Sequence, residues 1–504
     1  MQELKLIRPG EVRTRIAPSP TGPMHIGLAR TALFNYLFSK KYQGSFILRI
    51  EDTDEERSEE KWEKEIIEGL KWLGINWQEG PEIEGAYGPY RQSERKEIYK
   101  RYIQKLLDEE KIYRCFCSRE ELEARNQYLL SMGQPPRYSG KCRDLSEKEL
   151  KKNLKEKKPF VFRFKTPFKK VSFDDILRGK IEYDTENFGD MVVAKDFSEP
   201  LYNLACVIDD FEMKITHIIR GEDHISNTPK QILIAESLGI SPPKYLHLPL
   251  ILDSNRAKMS KRGEVKSVLE YKKEGYLPES LINFLVFLGW NPGTEREIFS
   301  LNSLIQEFFP EGIQKSGAVF NQQKLDWLNS FYIRQKSKEK FNEECLPYLI
   351  KAGFISKADS LNQKFIVKET NREISFLRIQ NITALYQERL KKISDIVDLA
   401  DFFFKKELNY PKELLKWKDM EDEEIKDNLD KIKKVLNKID DNDWTNQNIE
   451  EGLRQIEKGD RGKILWPLRV ALSGKKYSAG PFEIAWALGK EGTMEKIENA
   501  LKKI

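Results

Sequence analysis

The fold predicted from the sequence is an α/β domain built on a parallel sheet, interrupted by an α+β insertion and followed by an all-helical C-terminal region. Three observations point to it. A β-branched run at 12–16, a helical recurrence of apolar side chains at Leu28, Ala32, Leu33, Tyr36 and Leu37, and a strand-like run at 45–50 form a strand–helix–strand unit. At this length such a unit implies a right-handed crossover between parallel strands. From about Tyr90 the pattern changes to clustered cysteines, a helical segment and short strand-like runs at 160–164 and 170–173. From about Ser330 onward apolar residues recur at helix spacing without strand alternation, as at 428–439, 449–456 and 481–488.

The chain has 504 residues, too many for one core, so about three or four domains are expected. Charged side chains make up 33% and hydrophobic ones 39%, the balance of a water-soluble protein. The formal charge is only +5, from 86 basic and 81 acidic residues, so a polyanionic partner must be met by local basic surfaces. The first five residues carry no apolar stretch of signal-peptide type, and the apolar run at 284–290 is too short to span a bilayer. A cytoplasmic protein without membrane contact is expected. Five cysteines, three of them between Cys115 and Cys142, suit a metal site or reduced thiols better than a disulfide scaffold.

Taken in order, the first strand runs into the loop Pro18-Ser19-Pro20-Thr21-Gly22-Pro23-Met24-His25-Ile26-Gly27. Prolines stiffen it, and Gly22 and Gly27 permit close backbone approach. His25 offers an imidazole donor at the positive end of the following helix, where a phosphate would be favoured. A histidine at a helix start also serves as a cap. Neither a G-x-G-x-x-G nor a Walker pattern is present in this loop. After the second strand, the carboxylates of Glu51, Asp52 and Asp54 either hold an ammonium group or, for the two aspartates, cap the next helix, whose face shows at Trp62, Ile66, Leu70 and Leu73.

Cys115, Cys117 and Cys142 supply three soft ligands for zinc, with a fourth place open to Tyr138, Asp144 or water; three reduced thiols are the alternative. The runs at 201–210 and 215–220 read as buried parallel strands, the second ending in Arg220, which is placed to pair with a carboxylate of a ligand or of the protein. Lys258-Met259-Ser260-Lys261-Arg262 forms a cationic, glycine-ended loop.

The motifs APSPTGPMHIG, RIEDTD, VIDD, IIRGED, KMSKR and WPLRVALSG follow one another over nearly the whole chain, and together they resemble the bacterial glutamyl enzymes of the class I aminoacyl-tRNA synthetases. The His-Ile-Gly-His form of that signature has Leu28 in its fourth place here. The resemblance implies a Rossmann-like catalytic domain at 1–95 and 201–265, an inserted acceptor-binding domain at 96–200, a helical stem-contact domain at 266–330 and an all-helical anticodon-binding domain at 331–504. It implies ATP, with Mg²⁺, activating L-glutamate as an adenylate that is transferred to the terminal ribose of tRNA(Glu), with tRNA(Gln) as a second candidate. A monomer is expected.

By the same resemblance His25, Lys258 and Lys261 are catalytic, and His25, Gly27, Glu222 and Lys261 bind ATP. Arg15, Ala17, Ser19, Glu51, Tyr202 and Arg220 bind glutamate, with Arg15 on the side-chain carboxylate and Arg220 on the α-carboxylate. Cys115, Cys117, Tyr138 and Cys142 are the metal ligands implied. Glutaminyl relatives normally carry β-barrels at the back of the chain, and the helical pattern after Ser330 argues against them. A catalytically silent tRNA-binding paralogue is the rival from another class.

Overall fold

The computed structural model describes residues 8–54, 56–259, 266–359, 364–457 and 459–504. The chain divides into two compact units, Met1–Tyr271 with Leu281–Gln322 and Lys272–Ser280 with Gln323–Ile504. No helix among the described residues is long and apolar enough to cross a membrane.

The first unit opens with β1 (Arg13–Ile16), α1 (Ile26–Lys41) and β2 (Ser45–Leu48), the two strands pairing in parallel from Arg13↔Ser45 to Ile16↔Leu48. α1 is buried on nearly every side from Ile26 through Ser39, its buried Arg30 and Asn35 donating to backbone carbonyls, and Lys40 and Lys41 close it at the negative end of its dipole. Gly44 turns the chain into β2 where a Cβ would fall on the Val12 backbone, so only glycine fits.

After α2 (Glu60–Trp72) and α3 (Lys96–Asp108) comes the insertion. Its antiparallel sheet orders β3 (Ile112–Cys115), β4 (Val161–Phe164) and β7 (Val192–Ala194), with α4 (Arg119–Ser131) and α5 (Glu147–Lys155) between β3 and β4. The hairpin β5 (Lys170–Asp175) and β6 (Gly179–Asp184), assigned from sequence to the insertion, instead extends the main sheet through Asp175↔Tyr245.

The run at 201–210, expected as a strand, is a helix, α6 (Tyr202–Glu212). Leu204 to Asp210 are all buried, and a segment buried on every side carries no periodicity that separates a buried helix from a buried strand. Its length, 11 residues, is a helix length. The sheet resumes at β8 (His217–Gly221), then α7 (Thr228–Leu238) crosses to β9 (Lys244–Leu248), parallel to β8. Thr216 donates its N–H to Arg13 O at 3.0 Å, setting the start of β8 beside β1. The short β10 (Ile251–Leu252) follows.

The second unit is helical around one apolar core that runs from Leu277 to Ala500. Within it lies a three-stranded antiparallel meander, Ile355–Asp359, Lys364–Val367 and Arg372–Ser375, which the expectation of helices throughout did not contain. These strands are short and carry Lys, Glu and Arg on their open side, so they raise no run of alternation in the sequence.

Candidate active site

The first signature loop leaves β1 at Ile16 and enters α1 at Ile26, so it stands at the carboxyl end of a parallel strand before a helix N-terminus. A cleft of about 550 Å³ opens there, bounded by this loop, Glu51, Tyr202, Arg220, His224 and Lys258. His25 is both cap and lining. Its Nδ1 accepts the Leu28 N–H at 3.2 Å, which leaves the proton of the neutral ring on Nε2. A Cβ on residue 27 would stand 3.1 Å from His25 Nδ1, so Gly27 lets the imidazole lie against the helix start.

Behind the cleft sits a buried ionic network. Arg15 donates Nε and Nη2 to Asp210 at 3.0 and 3.3 Å, and Nη1 carries no hydrogen bond among the described residues. Arg49, fully buried, donates Nη1 to Asp210 at 2.7 Å and Nη2 to Glu51 at 3.0 Å. Arg95 donates Nε to Asp209 at 2.7 Å, and Asp209 also accepts from Gln92 and Tyr99. Three guanidinium groups face three carboxylates, so the network balances, as buried charge must. Burial raises the Glu51 carboxyl above its ordinary range despite Arg49. Burial works the same way on Asp210, but Arg15 and Arg49 outweigh it and hold that carboxyl well below its usual range.

Arg220 differs from the others. Its Nε donates to His247 Nε2 at 3.2 Å, and its Nη2 to Thr228 Oγ1 at 2.8 Å and to His224 O at 3.5 Å. Its Nη1 is buried without a hydrogen-bond partner, and no carboxylate pairs with the group among the described residues. A buried cation facing a cleft with no anion of its own calls for one from outside.

The remaining sequence-predicted residues sort plainly. Ala17, Ser19, Glu51 and Tyr202 line the cleft, and Tyr202 OH lies 3.0 Å from His224 Nδ1. Glu222 stands beside the cleft-lining Gly221 and Asp223, and its carboxylate accepts the Leu250 N–H at 2.8 Å and pairs with Arg178. Lys258 lines it and reaches Asp223 at 3.1 Å. Lys261 lies outside the described residues. On either side of it, Met259 lines the cleft and Ser267 bridges to His25 through the backbone. Asp52 and Asp54 are not caps of the next helix, which starts at Glu60 after Glu59; Asp52 binds Ser93 and Asp54 pairs with Arg57. Sequence reasoning gave no role to Arg49, Asp210 or His224. A doubled aspartate closing an apolar run, and an arginine inside one, were the signals available.

Burial, foremost, lowers both His217 and His224 to about 4, with Lys244 acting on the first and Arg220 on the second. The unfolded chain takes up these protons near pH 6.5, the folded chain only near pH 4, so stability is full above about pH 6.5 and is lost as pH falls toward 4. Urea midpoints should therefore decline from pH 7.5 to pH 5. A flat series would contradict the assignment of two neutral imidazoles, His217 buried and His224 partly buried.

In the insertion, the Sγ atoms of Cys115, Cys117 and Cys142 lie within 4.8 Å of one another. Tyr138 OH is 3.4 Å from Cys115 Sγ and 3.5 Å from Cys117 Sγ, and the Arg163 guanidinium stands 3.9 Å over the Tyr138 ring. The 3.6 Å between Cys117 and Cys142 Sγ is close to the ~3.8 Å edge of a tetrahedron with metal–sulfur bonds of ~2.3 Å. Asp144 is exposed.

Residues 11–327 match the family described as tRNA synthetases class I (E and Q), catalytic domain, and residues 340–501 match the anticodon binding domain. Glutamate–tRNA ligase 1 of Caldicellulosiruptor saccharolyticus is 45% identical over 97% of this chain and 98% of its own, and the glutamate–tRNA ligase of Bacillus subtilis is 40% identical over 97% and 99%. Among solved structures, a glutamate tRNA ligase from Elizabethkingia meningosepticum in complex with its amino acid superposes with a TM-score of 0.85 at 34% identity, covering 98% of this chain and 99% of that one.

Proposed function

The chain belongs to the class I tRNA synthetases of the glutamate and glutamine group, and from that premise we propose that its cleft activates L-glutamate with ATP and passes the glutamyl group to tRNA(Glu). The observation that carries the assignment of the amino-acid end is Arg220, buried at the cleft without a carboxylate. Arg220 takes the α-carboxylate and Arg15, through Nη1, the side-chain carboxylate. Glu51, whose raised carboxyl gains from a cation, takes the ammonium group. Ala17 and Ser19 bound the same subsite, and Tyr202 closes it.

At the other end, His25 and Gly27 at the start of α1 receive the phosphates of ATP, which arrives with Mg²⁺. Lys258 and Lys261 bring positive charge to the departing pyrophosphate. No side-chain nucleophile is needed, because the glutamate carboxylate attacks the α-phosphate in line and displaces pyrophosphate, and the terminal ribose hydroxyl of tRNA then takes the acyl group and releases AMP. The protein acts as a monomer in the cytoplasm. Exchange of labelled pyrophosphate into ATP, run with and without tRNA, tests the reaction. Dependence on glutamate supports it, and exchange driven by another amino acid, or none, rejects it. Charging purified tRNA(Glu) and tRNA(Gln) side by side decides between a discriminating enzyme and one that serves both.

The thiols of Cys115, Cys117 and Cys142 with Tyr138 OH fit a structural zinc ion, which when bound would tie β3 to the loop before α5 and perform no step of the reaction. Metal analysis should find about one zinc per chain, lost in Cys142→Ser. Zinc-free protein as purified under reducing, chelator-free conditions would leave three thiols.

A further inference from the structure

We propose that His247, held by Asp175, is a positioning residue for substrate carboxylate recognition: a buried chain Asp175–His247–Arg220 fixes the Arg220 guanidinium without neutralising it. The inference rests on Arg220 being the anchor of the glutamate carboxylate.

His247 and Thr228 are fully buried, and Asp175 is 2% exposed. Asp175 Oδ1 accepts the N–H groups of Leu177 and Arg178 at 2.9 and 2.8 Å, and Oδ2 accepts the His247 N–H at 3.0 Å. Both of its oxygens therefore serve as acceptors. Its Oδ2 also lies 2.7 Å from His247 Nδ1, so that nitrogen carries a proton. At the far side of the ring, Arg220 Nε stands 3.2 Å from Nε2. Arginine has only donors, so Nε2 must accept. The two ends agree on one state of the ring, neutral and protonated on Nδ1.

This arrangement solves a specific problem. A carboxylate placed directly on Arg220 would hold it but would offset its charge in the empty cleft. All three groups that receive Arg220, namely His247 Nε2, Thr228 Oγ1 and His224 O, are neutral acceptors. The anion sits one imidazole further back. Orientation is thereby transmitted from Asp175 while the positive charge is left for the ligand. The Tyr245 ring stacks on His247 with 11° between planes, which fixes the tilt of the imidazole. Asp175 and His247 are 72 residues apart and meet because the β5–β6 hairpin joins the sheet beside β9.

The test is steady-state aminoacylation by the full-length enzyme at saturating tRNA. His247→Leu removes the acceptor; His247→Gln puts an amide oxygen near the place of Nε2; His247→Asn replaces only Nδ1. Loss of a charge-assisted hydrogen bond at a binding group should raise the KM for glutamate by ~10-fold or more in His247→Leu and His247→Asn, with kcat and the KM for ATP within about 2-fold. His247→Gln should restore most of the loss, and Asp175→Asn should give a smaller rise in the same direction. Thermal melts run beside the kinetics, and if His247→Leu does not fold, the contrast between Gln and Asn decides alone. An unchanged glutamate KM in the folded variants, or parallel losses in kcat and in both KM values, overturns the proposal. Arg220→Ala run beside them separates the two failures: if it alone raises the glutamate KM, the relay is wrong and the anchor stands; if it too has no effect, the anchor itself is wrong.

Discussion

Arg220→Ala is expected to raise the KM for glutamate by ~100-fold or more while the KM for ATP stays within a few-fold. Truncating one partner of a buried, hydrogen-bonded charge pair costs about 3–5 kcal/mol, because the remaining charge is left in a site built to exclude water. In the proposed complex the remaining charge is the substrate carboxylate. The apo protein should tolerate the change, since Arg220 pairs with no protein carboxylate among the described residues and its removal strands no charge of the protein. Arg220→Lys should recover little, because an ammonium cannot span His247 Nε2, Thr228 Oγ1 and a ligand at once. Saturation curves for glutamate and for ATP, measured on the same preparations, check the split.

Arg49→Met should do the opposite, damaging the fold before the kinetics. Arg49 is the common partner of Asp210 and Glu51, at 2.7 and 3.0 Å, and lies 3.9 Å from Asp209. Its loss leaves Glu51 without its guanidinium and Asp210 with Arg15 alone, all in a buried network. The expected cost is about 3–5 kcal/mol, read as a fall in the denaturant midpoint at unchanged slope. Arg57→Ala, which removes an exposed pair with Asp54, is the control and should leave the midpoint where it was. Asp210 gives a second readout. Its depressed carboxyl contributes stability above its unfolded value, near pH 3.9, and loses it as pH falls through the lower folded value. Without Arg49 the folded value rises, so the variant should also lose stability at a higher pH on acidification.

The local features of the site were legible in the sequence because they are local. Prolines and glycines between 18 and 27 announced a stiff loop at a strand end, and the apolar spacing after Gly27 announced α1. Three crowded cysteines announced a cluster with Tyr138, Asp144 or water beside it, and the structure puts the Tyr138 hydroxyl among the thiols and leaves Asp144 exposed. What stayed hidden is long-range pairing. Arg49 meets Asp210 across 161 positions, and Asp175 meets His247 across 72, and nothing in either neighbourhood names its partner. Glu222 is a further case: its carboxylate meets Arg178, 44 positions away, and the Leu250 N–H, and neither partner is announced near it in the sequence. The misassigned strand at 201–210 has the same origin, since a segment surrounded by protein on all sides has no wet face to betray its period.

The claim on which the rest depends is that one cleft holds glutamate by Arg220 and ATP by the His25 loop. A crystal structure of the enzyme with glutamate and a non-hydrolysable ATP analogue tests it most directly. A glutamate carboxylate is expected within hydrogen-bonding distance of Arg220 Nη1, with the analogue's phosphates at the start of α1 beside His25. Glutamate bound elsewhere, or a nucleotide lying away from His25, would contradict it.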